Sequence, residues 1–118
     1  MKLKKKLIRK PWGAEEIIHT NKFYTLKKLM MNPYSRCSLQ YHKKKIETIY
    51  VLTGPLFILH GNSIKTLKTK KLNTGNFYTL KNKEIHRMFA KSKKSIYLEA
   101  STSDLKDVVR LSDDYNRA

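Results

Sequence analysis

A chain of 118 residues is enough for one domain around a single core, which excludes a catalytic domain joined to a second, regulatory one. Apolar residues at 40% and aromatics at 10% exclude a disordered chain, and no stretch approaches the roughly eighteen consecutive apolar residues of a membrane helix. A formal charge of +17 invites nucleic acid, but 21 of the 26 basic residues are lysine, scattered without the interleaved aromatics of an RNA-binding sheet, so they read as a solvated surface.

In chain order, the basic amino terminus (1–10) begins like a signal peptide, but Leu7-Ile8 is cut short by Arg9-Lys10, and a cytoplasmic protein is expected. Short runs rich in β-branched and aromatic residues follow at 23–31, 36–42, 47–54, 56–61, 63–72, 76–80, 85–90 and 95–102. Turn signals separate them: Asn32-Pro33, Gly54-Pro55, Gly61-Asn62, Thr74-Gly75-Asn76 and Lys81-Asn82-Lys83. Eight strands at nearly even spacing predict an all-β fold, a closed or two-sheet antiparallel barrel in one domain spanning 1–118. The tail, 103–118, holds four of the nine acidic residues. It is read as irregular or helical, with Ser103 or Asp104 as a possible cap, although Val108-Val109 is also strand-like. Cys37 has no partner for a disulfide and is read as a small packed residue in a reducing compartment.

Alternation places Gln40 and His42 on one face of a strand, and Glu47 on the face shared by Ile49 and Val51. Either these groups face water and mean little, or they face inward and form a site. A hairpin through residues 43–45 brings all three into one pocket, where a buried carboxylate requires a partner. A metal ion satisfies a carboxylate, an imidazole and an amide oxygen together, and His86, on a later strand, offers a fourth ligand. Such an O/N set suits Mn, Fe, Co, Ni or Zn.

Other residues carry two readings each. His19 and His60 lie near predicted turns and are expected at the surface. Trp12 is read as a plug closing one barrel end or an aromatic wall for a sugar ring. Arg87 and Arg110 stand out in a lysine-rich chain, and their planar forks suit phosphate or carboxylate. For Arg110 an ion pair with Asp107, Asp113 or Asp114 is the competing reading. Glu99 falls in the apolar run "SIYLEAST" and is expected to face the pocket, as a base or as a partner to a ligand histidine.

These spacings resemble the cupin family, whose motifs are G-x5-H-x-H-x4-E-x6-G and G-x5-P-x-G-x2-H-x3-N. Gln40 stands at the first His, followed in step by His42, Glu47 and Gly54; Gly75 and His86 keep the second motif's separation. Lys81, Lys83 and Ala90 replace its Pro, Gly and Asn. With "KPWGAEEII", "SLQYH", "HR" and "VVRLSDDYNR", the chain resembles the cupin domain of type II mannose-6-phosphate isomerases, found alone or at the carboxyl end of mannose-1-phosphate guanylyltransferases. Lys44, Lys45 and Asn116 depart from that pattern, at positions of a frequent His, a frequent Arg and a Gly.

The resemblance implies a small jelly-roll barrel, one divalent metal ion on Gln40, His42, Glu47 and His86, and a homodimer. It implies interconversion of mannose 6-phosphate and fructose 6-phosphate through an enediolate; the first choice of base is Glu99 and the second an acid from the tail, with Arg87 as a further catalytic group. The phosphate would meet Arg87, Arg110, Lys44 and Lys45. The alternatives are a cupin that binds a phosphosugar or nucleotide sugar without turnover, and another metal-dependent sugar isomerase or epimerase. A nucleic-acid or membrane partner is not expected.

Overall fold

The computed structural model describes residues 6–103 and 107–114. They form β1 (Lys6–Lys10), β2 (Gly13–Thr20), β3 (Tyr24–Met31), β4 (Leu39–Tyr41), β5 (Glu47–Thr53), β6 (Leu56–Gly61), β7 (Lys68–Leu72), β8 (Phe77–Leu80), β9 (Ile85–Phe89), β10 (Ser95–Thr102) and β11 (Val109–Ser112). Six strands make one sheet in the order β1-β2-β3-β10-β5-β8, and five make the other, β11-β4-β9-β6-β7. Neighbours pair antiparallel throughout, and the two sheets enclose the core as a jelly roll. No helix among the described residues is long and apolar enough to cross a membrane.

All eight expected runs contain a strand, and the differences are local. Within 63–72, Ser63 accepts a hydrogen bond from the Lys65 N–H at 3.2 Å and caps a single 3-10 turn, so β7 begins only at Lys68. Within 36–42, Arg36 makes one isolated bridge to Phe89, and regular pairing is confined to Leu39–Tyr41. The described part of the tail is the strand β11 rather than a helix, because pairing with β4 gives Val109 and Arg110 backbone partners at Tyr41 and Gln40. The cap suggested at Asp104 lies outside the described residues. β1 and β2 add to the expected set; "KLIRK" and "GAEEIIHT" mix charge and apolar residues without a clean period of two, so neither announces a strand.

Antiparallel register stacks the inward side chains of β3, β10 and β5 into layers. Leu29, Tyr97 and Val51 form one layer, and Lys27, Glu99 and Ile49 the next. Thr25, Ser101 and Glu47 form a third, and all nine residues are buried. The same inward faces therefore pass from apolar to charged along the strands. The apolar end continues into Met31, Leu56, Ile58 and Leu72, and the charged end becomes the site.

Gly13 explains how β2 can start beside Trp12. A Cβ there would lie 1.9 Å from the Met30 carbonyl oxygen on the paired strand, which no side chain tolerates. Gly13→Ala is expected to cost at least about 1–3 kcal/mol of stability through forced backbone displacement. Urea unfolding followed by the fluorescence of Trp12, the one tryptophan, measures this, and an unchanged midpoint would contradict the close approach.

Candidate metal centre

His42 follows the end of β4, Glu47 opens β5 and His86 lies on β9. The β4–β9 register sets Gln40 opposite His86, which carries the two strands' ends to the same level of the barrel. His42 Nε2 and His86 Nε2 each lie 3.2 Å from Glu47 Oε1. All three residues are buried, and their ligand atoms fall within 4.8 Å of one another.

The ring tautomers follow from the partners. His42 Nδ1 bonds the Asp107 carbonyl, and His86 Nδ1 bonds the Glu84 carbonyl at 3.0 Å. A carbonyl only accepts, so each Nδ1 carries a proton, and the Nε2 turned toward Glu47 donates to it in a doubly protonated ring and offers a lone pair in a neutral one. Two lone pairs facing a carboxylate oxygen repel unless both rings gain a second proton or a cation stands among them. His86 Nε2 and Glu47 Oε2 have no hydrogen-bond partner among the described residues. The donor set thus fits a divalent ion and could hold one.

Behind this group lies a cavity of about 110 Å³, lined by Gln40, Glu99, Lys45, Arg110, Lys27 and Trp12 among others. Burial works against the charge of Glu47, but the facing imidazoles of His42 and His86 and the Glu99 carboxyl outweigh it and hold its carboxyl well below the usual range. Burial and the adjacent Glu47 charge push Glu99 well above that range, so Glu99 carries the proton of the pair. Lys45 Nζ sits 3.7 Å from Glu47 and 4.0 Å from Glu99.

The residues expected at the site divide. His42, Glu47 and His86 come together as expected, and Glu99 faces the cavity from the apolar strand that makes it conspicuous. Gln40 lines the same cavity while its Oε1 accepts from the Ser38 hydroxyl at 2.5 Å. Arg110 also lines it, and Trp12 is both a wall of the cavity and part of the core.

Arg87 does not line the cavity. Strand alternation turns it to the face of β9 opposite His86, where its guanidinium donates to the Cys37 and Ser112 carbonyls at 2.8 and 3.2 Å. Lys45 is buried against the two carboxyls, and Lys44 is exposed on the turn, its N–H donating to Asp107 at 2.8 Å. His60 is not an isolated surface residue, for its Nδ1 lies 3.1 Å from the Tyr78 hydroxyl and 3.3 Å from Glu84. His19 is exposed, as expected. Cys37 is a packed thiol whose pKa burial raises to about 11.

Three further residues belong to the site without standing out in the sequence: Lys10, Glu15 and Lys27. Glu15 lies 2.9 Å from Lys27 Nζ and 3.8 Å from Lys10 Nζ. Burial opposes the charge of Lys27, yet Glu99 and Glu15 more than offset it and raise its pKa above the ordinary value. The signal that could have found Lys27 is the phase of β3, since Lys27 shares a face with Leu29 and Met31 whereas Lys28 does not.

The motif positions that lost their glycines keep the glycine backbone. Lys83 stands at φ 65° and Tyr34, where the first motif's opening glycine falls, at φ 59°. Both lie in the left-handed region that glycine favours.

The two-sheet roll with a histidine–carboxylate–histidine group at one end defines a small cupin. The family model for the mannose-6-phosphate isomerase C-terminal domain matches residues 1–113, and the chain belongs to that family. Among solved structures it is similar to the capsular polysaccharide assembling protein CapF from Staphylococcus aureus, with a TM-score of 0.80 at 11% identity over 94% of this chain and 35% of that one. It is similar to KdgF from Halomonas sp., with a TM-score of 0.72 at 11% identity over 84% and 88% of the two chains. A cupin-2 domain from Rhodospirillum rubrum gives 0.77 at 10% identity over 92% and 76%. At these identities the likeness is one of fold, and this chain spans about a third of the length of CapF. No curated protein matches the chain.

The carboxyl pair has a pH signature. Glu99 holds its proton more tightly folded than unfolded, so the metal-free protein loses stability as pH rises from the ordinary carboxylate range through the raised pKa. Glu47 acts in the opposite sense, and its contribution is lost as pH falls below that range. Glu99→Gln stays neutral at every pH and is expected to remove the fall that begins in the carboxylate range while leaving the acid-side loss, as urea midpoints across the pH range would record.

Proposed function

We propose that the chain is a metal-dependent aldose–ketose isomerase acting on mannose 6-phosphate and fructose 6-phosphate. The observation that carries the reading is the pairing, in one cavity, of a donor set for a divalent ion with two carboxyls whose proton affinities are driven apart. Gln40, His42, Glu47 and His86 are assigned as the metal ligands, with the second lone pair of the Gln40 amide oxygen still able to coordinate beside its Ser38 bond. A bound divalent ion of the Mn, Fe, Co, Ni or Zn type supplies Lewis-acid stabilisation of the charge that develops on the substrate's oxygens.

The chain's own groups account for the rest. Glu99 in its ionised form is assigned the proton transfer, taking the C2 proton of the open-chain aldose and returning it at C1 while the hydroxyl proton passes from O2 to O1, because a carboxylate of raised proton affinity is the better base. Lys45 holds Glu47 and Glu99 at fixed separation and balances their charge. The cavity of about 110 Å³ is small for a whole hexose phosphate, so it is assigned to the reacting carbonyl end. Lys10 and Arg110, on its wall, take over from Arg87 and Lys44 as the cations proposed to meet the phosphate.

A coupled assay with mannose 6-phosphate, run beside elemental analysis, tests this. Metal-loaded wild type is expected to turn over. His86→Ala is expected to lose both metal and activity, and Glu99→Gln to keep its metal while kcat falls at least about 100-fold. Tight binding of the sugar phosphate without turnover would replace the enzyme reading with that of a binding cupin. Equally little metal in wild type and His86→Ala would end the metal reading.

A further inference from the structure

We propose that Asp107 and Glu84 are positioning residues, each holding one imidazole of the centre through a main-chain carbonyl that its own carboxylate locks in place. Neither belongs to the ligand set, and both lie in connections rather than strands. The two are built alike. His42 Nδ1 bonds the Asp107 carbonyl, while the Asp107 carboxylate accepts the N–H groups of Lys43, Lys44 and Lys45 at 3.0, 2.8 and 3.0 Å. The residues that follow His42 therefore grip the residue that orients its ring.

His86 Nδ1 bonds the Glu84 carbonyl at 3.0 Å, while the Glu84 carboxylate accepts from the Lys81 N–H at 3.1 Å and the Tyr78 hydroxyl at 2.7 Å. The two loops are tied directly, since the Lys83 N–H donates to the His42 carbonyl at 2.5 Å. Each clamp thus fixes a ring's tautomer and direction before any ion arrives, and both send Nε2 toward Glu47.

The clamp also settles what the lysine turn can do. Its three N–H groups form the kind of concave backbone cradle that takes an anion, and the Asp107 carboxylate fills it. The main chain of the turn is therefore a structural partner of His42 rather than a seat for a substrate's phosphate.

The test has two arms. Proton–nitrogen correlation of histidine rings in the metal-free protein, in alkaline solution, reads tautomers without any metal. Wild type is expected to show Nδ1–H for His42 and His86. Asp107→Ala is expected to lose it at His42 only, Glu84→Ala at His86 only, and Asp107→Asn and Glu84→Gln, which keep one acceptor oxygen, to restore most of it.

In the second arm, titration with Co²⁺ should show each alanine variant binding about 10–100-fold more weakly, with an altered visible absorption spectrum and partial rescue by the conservative variant. This arm rests on the metal reading, and the first does not. Failure of wild type to bind Co²⁺ would overturn that reading while the tautomers still decide the positioning. Unchanged tautomers in folded variants would overturn the proposal, and if an alanine variant does not fold, its conservative counterpart carries the same comparison.

Discussion

The structure turns on the convergence of two imidazole nitrogens on one buried carboxylate oxygen. His42 Nε2 arrives from just beyond β4 and His86 Nε2 from β9, each 3.2 Å from Glu47 Oε1. The turn after His42 leads straight to Glu47, but as a crossing between the two sheets rather than the expected hairpin, and nothing local joins either residue to His86. The barrel does so, because antiparallel register puts Gln40 beside His86 and starts β5 with Glu47 facing inward. Once a carboxylate is buried there, every neighbour is constrained to answer its charge, and the layers below it are free to be apolar.

That constraint explains the interior charges better than stability does. At an effective dielectric of about 20, a contact near 4 Å is worth about 4 kcal/mol, whereas desolvating each ion costs several. Lys45, at 3.7 and 4.0 Å from two carboxyls, therefore comes close to breaking even, and the same holds for Lys27 against Glu15 at 2.9 Å. Apolar residues of similar volume would make an equally stable barrel end. What charged residues supply, and apolar ones cannot, is a graded set of proton affinities: Glu47 low and Glu99 high. The chain keeps a polar cavity at the one end where the layers stop being hydrophobic.

Much of this is legible in the residues, and the gaps have physical causes. The strands from β3 to β10 show because their inward faces alternate, and the phase of β5 by itself gives the direction of Glu47. Glu99 shows because a carboxyl in an apolar strand is conspicuous. Arg87 misleads because its chemistry suits a phosphate while alternation denies it the cavity: one residue after the inward-facing His86, it must face away. Lys45 misleads because three consecutive lysines look like a solvated turn, although only Lys45 is buried. Asp107 lies beyond reach, since its role depends on β11 returning beside β4, a long-range pairing with no local signature.

The lost motif glycines show what such a motif records. Glycine is favoured at positions 34 and 83 because the backbone there is left-handed, and Tyr34 and Lys83 keep that conformation at a cost of about 1–2 kcal/mol each. They persist because hydrogen bonds over-determine the loops: the Tyr34 N–H donates to the Lys91 carbonyl at 2.7 Å and the Lys83 N–H to the His42 carbonyl at 2.5 Å. The second bond joins the loop before His86 to the end of the strand before Glu47. Relaxing Lys83 would therefore disturb both imidazoles at once. The motif records the shape the site requires, and this chain holds that shape by hydrogen bonding at two positions where the motif has glycine.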